Sequence, residues 1–160
     1  MKLMNCLSML LLAIISPFRF RAEREEVCNV AGPFPNPTGV ATVVLEANFP
    51  AKYLLAARGT GSQSAILCTA SLAPVGVLID DGVVGERLAC AMLGAFPGTV
   101  SMVASKAIAE NVNVYATAAG KITDAVVPGA FWVGKTAPGS SAAADNDVVE
   151  VIPRFPRVNP

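Results

Sequence analysis

From Thr38 onward, turn-forming residues break the chain about every 8–12 residues, which leaves little room for helices and makes the short strand the repeating unit. The breakers are Asn48-Phe49-Pro50, Gly59-Thr60-Gly61-Ser62, Asp80-Asp81-Gly82, Pro97-Gly98, Ala119-Gly120, Pro128-Gly129 and Pro138-Gly139. Gly supplies the positive φ of tight turns, and Asp caps its own turn backbone. The intervening segments predict strands at 40–46, 52–57, 65–69, 75–79, 86–93, 99–104, 113–117, 121–123, 130–136 and 148–152. Within 86–93, Glu86, Leu88, Cys90 and Met92 fall on one face and Arg87, Ala89, Ala91 and Leu93 on the other. Only 105–110 reads as a short helical turn. The expected fold is therefore all-β, a compact barrel or sandwich of β-tulip or jelly-roll-like form.

Upstream, Gly32-Pro33-Phe34-Pro35-Asn36-Pro37 is a hard boundary, because clustered prolines cannot continue a helix and favour extended backbone. This divides the chain into an N-terminal arm and Pro-rich linker at 1–37, a β-rich domain at 38–153 and a C-terminal tail at 154–160. Lys2 and the apolar run that follows it to Ile15 have the form of a signal peptide, but a cut after Ala22 would put Phe20 where a small residue is wanted. The alternative is an apolar arm, extended or briefly helical, that docks on a neighbour. Its Phe18-Arg19-Phe20-Arg21 sequence makes these four residues interface candidates. The run is too short for the roughly 20 residues that span a bilayer, so no membrane partner is expected.

Composition points toward assembly. Charged residues are 15% of the chain, against roughly 25% in an average soluble domain. Twelve Lys+Arg balance twelve Asp+Glu, and mean hydropathy is +0.53. A domain with so little charge and no net charge tends to self-associate unless partners cover it. Without a basic cluster beyond Arg19, Arg21 and Arg24, no nucleic acid is expected.

No catalytic, cofactor or metal residues are assigned. There is no His for acid–base or Ser–His chemistry. Cys6, Cys28, Cys68 and Cys90 lack metal-ligand spacing and read as buried thiols. Asp80-Asp81 reads as a turn. Gly129-Ala130-Phe131-Trp132-Val133-Gly134-Lys135-Thr136 matches the phosphate-binding pattern G-x-x-x-x-G-K-[ST]. That loop must open a helix whose N-terminus meets the anion. Here Ala137-Pro138-Gly139 follows, and the variable positions look like a strand, so neither a nucleotide nor another small-molecule substrate is expected. Phe131 and Trp132, adjacent on that strand, should point to opposite faces, one into the core and the other outward. The outward one is either simply part-exposed or seated in a subunit interface, and Trp132 is the interface candidate.

Several elements recur in a set order. Pro74-Val75-Gly76-Val77 comes first, then a strand through Pro97-Gly98-Thr99-Val100, then Ala107-Ile108-Ala109 and Val114-Tyr115. The turn Ala119-Gly120-Lys121-Ile122 follows, then Val133-Gly134-Lys135-Thr136, with Lys135 departing from the expected small residue, and 142–147 before the last strand. Ala51-Lys52-Tyr53 and 65–68 extend the pattern upstream, to cover roughly 38–153. In this order and spacing the chain resembles the capsid decoration, or cement, proteins of tailed bacteriophages. The resemblance implies a non-enzymatic β fold on the outer surface of the virion, as a homotrimer stabilising the lattice of a major capsid protein. The competing expectation is an exported envelope or adhesin module, with 1–22 as its signal peptide.

Overall fold

A computed structural model describes residues 39–159; the interface candidates Phe18, Arg19, Phe20 and Arg21, and the thiols of Cys6 and Cys28, lie outside the described residues. Ten strands account for the domain, and each answers one of the predicted segments. They are β1 (Val40–Leu45), β2 (Leu55–Arg58), β3 (Ser64–Leu67), β4 (Pro74–Leu78), β5 (Arg87–Met92), β6 (Val100–Val103), β7 (Asn113–Ala116), β8 (Ile122–Thr123), β9 (Phe131–Thr136) and β10 (Val148–Val158). The fold is all-β.

The strands form two units. β1-β3-β2-β4-β5 closes into a barrel through the antiparallel β1–β5 ladder, in which Val40 to Val44 face Ala91 to Arg87. β1 and β3 pair in parallel, with β2 between them in the chain. β6-β10-β9-β7-β8 forms a curved second sheet, and a single bridge from Ala104 to Ile122 draws the end of β6 back toward β8. Period-2 alternation then serves two cores at once. Val43, Leu45, Leu54, Ala56, Leu78 and Cys90 fill the barrel. Their neighbours Leu55, Ala57, Val77, Ala91 and Leu93 leave the other side of the same wall and pack under Val100, Met102, Val114, Val133, Val149 and Val151 of the sheet. Cys90 and Ala91 therefore lie in different cores, as the alternation in β5 predicts.

A five-stranded barrel has little internal room, and small residues reflect it. A Cβ at Gly76 would collide with Cys90 Sγ, so position 76 must be glycine for β4 and β5 to approach. In β9, Val114 faces Gly134 and Tyr115 faces Trp132, which leaves Val133 as an extra residue. This bulge lets both Val133 and Gly134 turn to the buried side.

Two sequence expectations differ from the structure. Residues 105–110 are not helical; Ile108 instead bridges to Ala142, and the helical turn is a three-residue 3-10 segment at Ala118–Gly120. Gly120 there has φ +69 and donates its N–H to Cys68 O at 2.9 Å. The last strand also runs on through Pro153 and Pro156 to Val158, so residues 154–158 are strand rather than tail. Proline is tolerated there because pairing with β6 ends at Val151, and β10 is an edge beyond it on that side.

Candidate interaction surfaces

The 129–136 segment is a turn followed by a strand. Gly129 sits at φ +80, Lys135 is exposed, and Thr136 is fully buried. Thr136 Oγ1 accepts the Val112 N–H at 2.9 Å and donates to Ala109 O at 3.0 Å. The hydroxyl that would serve a phosphate-bound cation in a P-loop is thus tied into the adjoining 109–112 loop. Asp80 and Asp81 occupy a turn: Asp80 Oδ1 accepts the Asp81 N–H at 3.1 Å and pairs with Lys52 Nζ at 2.8 Å. Among the described residues no group of three His, Cys, Asp or Glu could hold a metal ion, and no helix is long and apolar enough to cross a membrane. Burial pushes the thiols of Cys68 and Cys90 up to about 12, which leaves them without nucleophilic character at neutral pH.

Trp132 is the second residue of β9. Phe131 packs against the core, whereas Trp132 stands in a cross-strand row with Arg157 and Tyr115. Its indole is half-buried, and Nε1 is shielded without an acceptor among the described residues. Asp124 Oδ1, equally shielded, is held by Lys106 Nζ at 2.7 Å.

The large apolar side chains left exposed are concentrated rather than scattered. Of the ten among the described residues, Ile152 pairs with Lys135 at one end of the β9–β10 ladder, whereas Val126, Val127, Phe155 and Val158 belong to the other end, where β9 begins and β10 ends. Asn159 ties the 126–129 loop to that end, since its O accepts the Gly129 N–H at 3.0 Å and its Nδ2 donates to Val127 O at 3.4 Å. Phe155 is 67% exposed, with its ring over the backbone of Gly94, where a Cβ would meet the ring at 2.6 Å. Arg154 and Arg157 flank this patch and form no ion pair among the described residues, whereas Lys52, Lys106 and Lys121 each have one. Ile79, Val83 and Val84 form a second patch on the loop between β4 and β5, beside Asp80, Asp81 and Glu86. That loop is ordered: Val83 N donates to Glu86 Oε2 at 2.9 Å and Val84 N to Asn48 Oδ1 at 3.1 Å.

No protein-family model matches the chain, and no curated protein matches it. Among solved structures, the domain is similar to the N base of the head fiber protein gp8.5 of bacteriophage phi29. The TM-score is 0.57 at 16% identity, over 76% of this chain and 98% of that one. The likeness is one of fold.

Of the sequence-assigned interface residues, Trp132 lies among the described residues; it is half-buried and pairs with Arg157 of β10 and with the buried Tyr115 of β7. The two apolar patches were not found from the sequence. The signal was present, as apolar residues mixed with charges of one sign at 79–84 and 152–158, but the separate runs looked like an ordinary turn and an ordinary closing strand.

Proposed function

We propose that this chain is a structural protein of a bacteriophage virion that binds the outer surface of the head and stabilises the lattice of the major capsid protein as a non-catalytic homo-oligomer, a trimer in the simplest case. The observation that carries the reading is the shared fold with the base of a phage head fiber, over nearly the whole length of that chain. Two features support it independently. The low charge and exposed apolar patches suit a protein whose surface is covered in an assembly. The one nucleotide-like motif is consumed by a strand whose threonine hydroxyl is internally bonded, which favours a structural role over an enzymatic one.

The test is mass spectrometry of purified virions together with binding of the purified full-length chain to heads that lack it. Detection beside the major capsid protein, and saturable co-sedimentation that raises the temperature at which heads rupture, would support the reading. A chain absent from virions and unable to sediment with heads would refute it.

A further inference from the structure

The two apolar patches differ in sign, and the geometry of the barrel keeps them apart. The β4–β5 loop, with Ile79, Val83 and Val84, carries Asp80, Asp81 and Glu86; only Asp80 is neutralised locally, by Lys52. The patch at the end of β10, with Phe155 and Val158, carries Arg154 and Arg157. β5 runs from one to the other: its first residue, Arg87, follows the acidic loop, and Gly94 just past its end lies under the Phe155 ring. Its six residues span about 20 Å at roughly 3.3 Å each. That exceeds the Debye length of about 8 Å at physiological ionic strength, so the patches cannot neutralise or cover each other within one copy. Each nevertheless has the apolar centre and charged rim of a protein interface.

We propose that these patches are the two halves of one contact between copies: the acidic 79–86 loop of one chain seats on the basic face formed by residues 154–158 of the next. The partner is a second copy because its complement, in both sign and apolar character, is present on the chain itself. A contact between different patches is heterologous, and it closes into a ring when each copy is rotated against the last. β10 is suited to receive a loop rather than a strand, since Pro153 and Pro156 lack the N–H groups that strand addition requires. This builds on the homo-oligomer proposed above, but its test uses no heads, so failure of self-contact and failure of head binding are read separately.

The experiment uses the full-length chain in two charge-reversed forms, Asp80→Lys with Asp81→Lys, and Arg154→Glu with Arg157→Glu. Molar mass is measured by light scattering across a concentration series, with thermal melting as a check on folding. Each form alone should associate at least about 100-fold more weakly than wild type, because like charges then meet across the contact. Mixing the two forms in equal amounts should restore association between unlike copies, since both the native and the reversed pairings become complementary. A ring of three cannot alternate the two forms, so the mixture is expected to give dimers and larger alternating species rather than the wild-type trimer. If either double variant loses stability, Asp81→Lys and Arg157→Glu singly serve in its place, with a smaller shift in the same direction. A wild-type chain that stays monomeric, variants that associate as wild type does, or a mixture that stays dissociated would overturn the proposal.

Discussion

Thr136→Val isolates a buried hydroxyl with almost no change in shape. Thr136 is fully buried at the end of β9, and its Oγ1 takes the Val112 N–H at 2.9 Å while donating to Ala109 O at 3.0 Å. Valine fills the same volume, so packing is nearly unchanged and the loss is polar. Each hydrogen bond contributes a net of about 0.5–1.5 kcal/mol, and a stranded N–H costs about 1–3 kcal/mol. Because Val112 is only half-buried, water recovers part of this loss, and the expected destabilisation is about 2–3 kcal/mol. Thr136→Ser keeps the hydroxyl and removes one buried methyl, at about 1 kcal/mol. The serine variant should therefore be the more stable of the two, the reverse of what a purely apolar core would give. Urea titration followed by tryptophan fluorescence measures the difference. With m of about 1–3 kcal/mol/M, the valine variant should lose about 0.7–3 M in midpoint at unchanged m. A valine variant as stable as wild type, or more stable than the serine variant, would refute the reasoning.

Three further outcomes are expected. The Ser64 hydroxyl beside Glu46, then the N–H groups of Thr60 and Gly61 and the Thr60 hydroxyl, hold its carboxyl down from 4.5 to about 2. A depressed folded-state value adds stability above pH 4.5 that is lost as pH falls toward 2, so the stability gap between wild type and Glu46→Gln should be constant above pH 4.5 and close by about pH 2 in denaturant melts; a gap that does not change with pH counts against it. Cys68 and Cys90, with thiols raised to about 12, should resist iodoacetamide in the folded protein and react only after denaturation, as peptide mapping by mass spectrometry would reveal; rapid labelling of the native chain would contradict their burial. Pro153→Val with Pro156→Val returns two N–H groups to the edge of β10 and should produce concentration-dependent aggregation in light scattering; a double variant as soluble as wild type would mean that the prolines do not guard that edge.

Strand positions were legible because their determinants are local. Gly, Pro and Asp impose turns through their own backbone, and ten segments between them became ten strands. The alternation of Cys90 and Ala91 was equally legible, since a strand's two faces are set by its pleat. The misread ends have a common cause. Pro153 and Pro156 predict a stop only if both sides of the strand must be paired, and here one side is free beyond Val151. Residues 105–110 have helix-compatible composition, but the bridge from Ile108 to Ala142 joins residues too far apart for any local rule to anticipate.

By itself, the sequence determined an all-β domain, the periodicity of its faces, the strand nature of 129–136 and a composition suited to assembly. The tertiary structure decided which faces were buried twice. Both sides of the wall made by β2, β4 and β5 are apolar, and only closure of one sheet into a barrel beneath a second assigns Leu54 and Leu55 to separate cores. It also decided the surface. Asp81 and Arg157 are ordinary charges in the sequence, and they become opposed patches because the length of β5 sets one at each end of the domain. Backbone preferences act over a few residues and can be read along the chain, whereas burial and electrostatic fields depend on distances that exist only once the strands have paired.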